Sequence, residues 1–310
     1  MSARLTPRLA LLLTLPPLMW AGNAVVGRAM VGHVPPLTLN VLRWVLAAAI
    51  LLPLVWRSWR GARDAAAVRA AWVYLLAIGT LGVGAFNSLQ YLALVTSTPL
   101  NVTLINASMP LWMLVVGALA YAQRPTPQQF VGALLSFAGV ATVLTRGAWA
   151  DLANLRLVIG DALMLLAVIG WAVYSWLLVR PPASMRPPQR PDWDWAAFLF
   201  MQILFGLVTA GGAAIVEQAI AAPAPIEWTS PRVLAALAFV AVGPSLIAYR
   251  CWGLGVAEAG PTLAAFFVNL SPLFAALLSA TLLGETPQGY HALAFVLIVA
   301  GILVSARPAR

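Results

Sequence analysis

The residues in this chain able to do chemistry are few, and nearly all stand inside long apolar runs. Trp20 with Asn23, Trp171 with Tyr174 and Ser175, and Tyr249 with Arg250 and Trp252 form three groups, each compact enough to sit on adjacent turns of one helix. Asn87 and Gln90 follow Val83 at i+4 and i+7, and Tyr91 adjoins them. Rings, amides and hydroxyls in that setting suit the binding of a small solute, the rings giving flat apolar faces and the polar groups fixing orientation. Reaction chemistry is poorly supplied. His33 and His291 stand near segment ends with only Glu285 close by, and the lone Cys251 has no base beside it, so the chain is not expected to be an enzyme or to carry a metal or cofactor. A single cysteine also excludes an internal disulfide.

Acids are as telling by their positions. A proton-driven exporter of cations needs a carboxylate in mid-membrane, and no acid occurs between Arg8 and Val31 in the first apolar run. Every other acid lies at or near a segment end or in a connection, and Asp161 is the one expected within the hydrocarbon, about one turn inside its helix, as a structural partner for backbone or arginine.

The elements that must position these groups follow from composition. The chain has 310 residues, 62% of them hydrophobic and 9% charged, with mean hydropathy +0.90, far from the ~25% charge of soluble domains. It is therefore read as an integral membrane protein. The net charge of +9 comes from arginines lying between apolar runs, which serves orientation in a lipid bilayer and not nucleic-acid binding. Ten candidate helices cover roughly residues 8–31, 37–56, 71–95, 99–121, 127–145, 157–179, 195–216, 232–256, 261–282 and 288–306, the first retained and not a cleaved leader.

Sliding the chain by 162 positions lays Pro99 on Pro261, Pro110 on Pro272, Pro125 on Pro287 and Gly139 on Gly301. Trp20-Ala21 aligns with Trp171-Ala172 at an offset of 151, so about eleven residues are inserted, some of them in the loop Arg180 to Arg190. With the N-terminus inside, the inner connections hold twelve arginines and the outer ones three, Arg146, Arg156 and Arg232. The expected fold is an all-α membrane protein of ten transmembrane helices in two five-helix inverted repeats, residues 1–148 and 149–310, with both termini cytoplasmic.

Asn40-Val41-Leu42-Arg43-Trp44 in the second helix, Gly160-Asp161 opening the sixth, and proline-broken fourth and ninth helices followed by Gln123-Arg124-Pro125 and Gly284-Glu285-Thr286-Pro287 carry a resemblance. Over nearly its whole length the chain resembles the EamA-domain proteins of the drug/metabolite transporter superfamily. That resemblance implies a ten-helix carrier of the inner membrane working by alternating access and exporting amino acids or related metabolites. The tryptophans of the first and sixth helices point, within the family, to the branch that exports aromatic amino acids.

Four prolines, Pro17, Pro110, Pro244 and Pro272, are expected to kink their helices and free carbonyls beside the transport path. The offset lays Val83, Asn87 and Gln90 on Ser245, Tyr249 and Trp252, and the 151 offset lays Trp20 and Asn23 on Trp171 and Tyr174, so four helices are expected to wall one site. Helix-to-helix bonding is the plainer use of the same groups. Asn106 and Asn269 lie in the broken helices, out of register by one residue. Arg43 is within snorkelling reach of the interface and is expected there or tied to carbonyls, whereas Arg250, beside Tyr249 and Trp252, is the candidate for a substrate carboxylate. The expected substrate is a neutral zwitterion with an aromatic or apolar side chain, the expected state a monomer. The alternatives are an exporter of organic cations and a non-transporting membrane scaffold.

Overall fold

The computed structural model describes residues 5–154, 156–221, 225–283 and 288–307, and among them every regular element is helical, with no strand. Helix α1 (Pro7–Ala29) begins where the Thr6 hydroxyl accepts the Leu9 N–H at 3.2 Å, with proline in its first turn. Then come α2 (Pro36–Ser58), α3 (Ala62–Gly79), a π-helical turn (Thr80–Ala85) and α4 (Phe86–Thr96). The first half closes with α5 (Pro99–Ala107), α6 (Met109–Tyr121) and α7 (Pro127–Leu144), α7 opened by a reciprocal cap between Thr126 and Gln129. The second half runs α8 (Ile159–Val179), α9 (Trp195–Ala221), α10 (Pro231–Ala241), a second π-helical turn (Val242–Ile247), α11 (Ala248–Ala259), α12 (Pro261–Val268), α13 (Ser271–Leu283) and α14 (Gly289–Ser305).

Among the described residues, eight helical stretches are long and apolar enough to cross a membrane, and the bent pair α5–α6 makes a ninth. The tenth expected span, α14, is apolar but 17 residues long, which at ~1.5 Å per residue gives ~26 Å against a hydrocarbon core of ~30 Å. The third span starts at Ala62 instead of near residue 71, so Arg63 and Arg69 are helical and not in a loop. Asp64 explains the extension: in the first turn its carboxylate takes the Arg60 N–H at 2.5 Å and the Trp193 indole N–H at 2.9 Å. The Gly284 to Pro287 motif lies outside the described residues.

The offset read from the prolines is built into the backbone. Thr80–Ala85 and Val242–Ile247 are 162 residues apart at both ends, and so are Met109–Tyr121 and Ser271–Leu283. Helices α7 and α14, which correspond under the same offset, pack through small residues. A Cβ on Gly132 would stand 2.6 Å from the Gly301 carbonyl oxygen, and one on Gly139 would stand 2.9 Å from that of Ala294. Positions rise along α7 as they fall along α14, so the two equivalent helices run antiparallel.

The prolines behave unequally. Pro110 follows a break at Ser108 where α5 and α6 meet at 42°, and Pro272 follows the break at Asn269–Leu270. Pro17 leaves α1 a single element. Pro244 sits in the second π turn, where the carbonyl it cannot bond, that of Val240, takes the Ser245 hydroxyl at 2.7 Å.

Polar ties fasten the helix ends. Asp161 caps its own helix by accepting the Val158 N–H at 2.8 Å, and binds Ser97 and the Asn101 amide, which spends the carboxylate on structure as expected. Glu217, at the far end of α9, accepts the Leu37 and Thr38 N–H groups at 2.9 and 2.8 Å, capping α2 from 180 residues away.

Candidate functional site

Three helices bring the site's aromatic residues together. Trp20 from α1, Trp171 and Tyr174 from α8, and Tyr249 and Trp252 from α11 form one cluster with centroid separations from 5.0 to 6.4 Å. Edge-on pairs recur, Trp20 meeting Trp171 at 89° and Trp171 meeting Tyr249 at 89°, the geometry that ring quadrupoles favour. The rings pack on one another instead of standing back as walls of an open cavity, so the centre is closed.

Two more rings belong to it. Trp44 of α2 lies edge-on to Tyr249 at 4.9 Å, and Phe86 of α4 lies 5.2 Å from Trp171. Signals for both were present, since Trp44 follows Arg43 in the second-helix motif and Phe86 precedes Asn87. Hydrogen bonds then fix the rings. Trp20 donates to the Pro244 carbonyl at 3.3 Å, Trp252 to the Ser175 hydroxyl at 3.3 Å, and Tyr174 to Gln202 on α9 at 3.0 Å. Tyr249 donates to the Gly82 carbonyl, in the first π turn. Gly82 must lack a side chain here, because a Cβ would stand 2.6 Å from the Tyr174 ring.

The two arginines take different places, and Arg43 departs from the one expected of it. Arg43 is 2% exposed and reaches neither the interface nor backbone carbonyls: its Nε donates to the Ser245 hydroxyl at 3.0 Å and its Nη1 to the Asn23 amide oxygen at 3.4 Å. The reason is its face of α2, shared with Asn40, Trp44, Ala47 and Leu51, all turned into the bundle. Arg250 is half-buried, its guanidinium 5.2 Å over the Trp195 ring, at a small recess between α8, α9 and α11 that Tyr174, Gln202 and Tyr249 also line. Its neighbours Tyr249 and Cys251 point ~100° to either side of it around the helix.

The remaining expected residues scatter more, apart from Tyr91 of α4, which bonds the Asn23 side chain and stands near Arg43. Asn87 is buried and Gln90 half-buried on α4, and neither amide makes a side-chain hydrogen bond among the described residues. Asn106 and Asn269 sit at the two helix breaks. The Asn269 amide donates to the Ala107 carbonyl at 3.3 Å, and the Asn106 side-chain oxygen is buried without a partner. Ala107 and Asn269 are themselves equivalent under the 162 offset, so the one-residue slip of Asn106 places the two amides in different roles.

Among the described residues the site holds no nucleophile paired with a base and no acid. It offers flat rings, amides and one buried cation, equipment for holding a solute.

Comparison with known proteins agrees with that chemistry. The sequence profile described as the EamA-like transporter family matches residues 8–145 and again 158–307. An "Uncharacterized transporter" of Archaeoglobus fulgidus is 28% identical over 300 residues, covering 95% of this chain and 96% of the relative. A "Probable amino-acid metabolite efflux pump" of Salmonella typhimurium is 26% identical, covering 92% and 90%. The "Aromatic amino acid exporter YddG" of Ancylobacter novellus is 26% identical, covering 94% and 95%. A solved crystal structure superposes with a TM-score of 0.73 over 96% of both chains at 22% identity, a likeness of fold.

Proposed function

The chain belongs to the EamA-like transporter family, and on that premise we propose that it is an inner-membrane, alternating-access carrier that exports neutral amino acids or related metabolites with aromatic or apolar side chains. The observation that carries the substrate class is the closed cluster of Trp20, Trp44, Trp171, Tyr174, Tyr249 and Trp252 around a buried cation, with no acid among the described residues beside it. Such a centre receives a flat apolar side chain when the rings part, and its charge suits a carboxylate better than an ammonium. The two relatives named for amino-acid efflux support the same reading.

The architecture proposed with it has ten helices in two inverted halves, residues 1–148 and 149–310, with both termini cytoplasmic. Antiparallel packing of α7 on α14 supports the inversion, and the surplus of arginine on one set of connections supports the orientation. Inversion lets one set of contacts serve both faces of the membrane, each half taking in turn the conformation of the other.

Proteoliposomes preloaded with unlabelled L-phenylalanine test the function by counterflow of labelled phenylalanine. Saturable uptake above empty vesicles is the expected result, as is raised tolerance of expressing cells to toxic phenylalanine or methionine analogues. Aromatic faces also bind quaternary cations, so ethidium is the matched probe. Protection against ethidium alone would make the protein an organic-cation exporter, and no transport of either would leave a scaffold.

A further inference from the structure

The face of α2 that carries Arg43 holds an unusual collection of groups. Asn40, one turn before Arg43, is 0% exposed, and neither its amide nitrogen nor its amide oxygen has a hydrogen-bond partner. The indole N–H of Trp44, the next residue on that face, is also buried and unpaired, and so is that of Trp171 across the ring cluster. An unpaired buried polar group is destabilising, and native chains keep few of them without a use. Three N–H donors stand unsatisfied here beside one buried guanidinium. Arg43 in turn is bonded only to the neutral oxygens of Ser245 and Asn23, and no described carboxylate pairs with it. A buried cation without a counter-ion is more costly still.

These groups share a preference: all but the Asn40 oxygen are donors, and they suit a ligand group that only accepts. An ionised carboxylate is acceptor-only, with about four lone-pair sites on two oxygens, and matches a planar guanidinium in geometry. We propose that Arg43, Asn40 and Trp44 form the subsite for the carboxylate of the transported solute, which their N–H groups bind. This rests on the amino-acid reading above and moves the charge-pairing role from Arg250 to Arg43. The side chain then lies beside the run of edge-on rings that Trp44, Tyr249 and Trp171 form.

Asn40→Leu gives the decisive test, because it removes two unpaired polar atoms and should leave the ligand-free protein as stable as before or more so. Binding is read as ligand-induced thermal stabilisation of the purified full chain, with L-phenylalanine and with L-phenylalaninamide, which has the same ring and ammonium but no carboxylate. Wild type should prefer phenylalanine. Asn40→Leu and Arg43→Gln should each weaken phenylalanine by ~10-fold or more, leave the amide analogue nearly unchanged, and so erase the preference, with Arg43→Lys restoring part of it. Equal weakening of both ligands, or weakening of neither, would overturn the subsite. Should Arg43→Gln fail to fold, Asn40→Leu decides alone. A wild type stabilised by neither ligand but by an organic cation would overturn the amino-acid reading and the subsite together, whereas phenylalanine binding with discrimination intact in the variants would overturn the subsite only.

Discussion

Arg43 shows what a single residue conceals in a sequence. Six or seven residues separate it from a helix end, which admits snorkelling, and spacing along the chain does not say which way a side chain turns. The deciding signal was the pattern on its own helix: Asn40, Arg43, Trp44, Ala47 and Leu51 recur at the spacing of one buried stripe. Ser245 was legible only through the register of the two halves. It was placed by register with Val83, but its role is to answer the carbonyl left open by Pro244 while receiving Arg43. Ser245→Ala removes both bonds and leaves the guanidinium and the Val240 carbonyl short of partners. A loss of ~2–4 kcal/mol is expected, read as a lowered thermal midpoint of the purified protein, and an unchanged midpoint would show that water replaces the hydroxyl.

Among the elements, the broken helices could be read and the π turns could not. Proline marks a missing donor, so Pro110 and Pro272 announced the breaks near Ser108 and Leu270. The first π turn contains no proline, only Thr80 to Ala85 with two glycines, and one residue beyond the ordinary helical repeat leaves no trace in hydropathy. The slip had a consequence for the site. Val83, Asn87 and Gln90 share a face only on an uninterrupted α-helix, and the π turn rotates α4 by up to ~100° relative to α3. On this turned helix Phe86 lies 5.2 Å from Trp171. Deleting Leu81 removes the one residue beyond the α repeat, should convert the turn to ordinary α-helix with Phe86 still against Trp171, and should reduce counterflow severely while the protein still reaches the membrane, because the Gly82 carbonyl that Tyr249 bonds loses its place. Counterflow at the wild-type rate would assign the π turn to packing alone.

At the scale of the whole molecule, composition and repeat were the strongest signals, because a membrane demands long apolar helices and a duplicated chain keeps its prolines in register. The exact number of full spans was not legible, since a break at Ser108 and a short α14 both lie beyond hydropathy. Orientation is open to chemical labelling. In a background without Cys251, Arg57→Cys should be shielded from an impermeant thiol reagent in intact cells and Ala153→Cys should react, and the opposite pattern would refute cytoplasmic termini. Close approach of α7 and α14 is testable as well. Gly132→Leu and Gly301→Leu each force a branched side chain against backbone at 2.6 Å and should unfold or sharply destabilise the protein, whereas Gly211→Leu, where a Cβ meets nothing within 4 Å, should not.

The bond from Asn269 to the Ala107 carbonyl has a further consequence for energetics. Two identical halves would make the inward-open and outward-open forms twins of equal energy, and the empty carrier would divide its time evenly between them. Alanine at residue 107 has no donor to return, so the bond has no twin and must be lost wherever the two breaks draw apart. One such bond is worth ~0.5–1.5 kcal/mol, enough, in the alternating-access carrier proposed above, to weight the resting protein by ~2- to 13-fold toward the form that keeps it. A chain built on symmetry thus acquires a preferred side at which to wait.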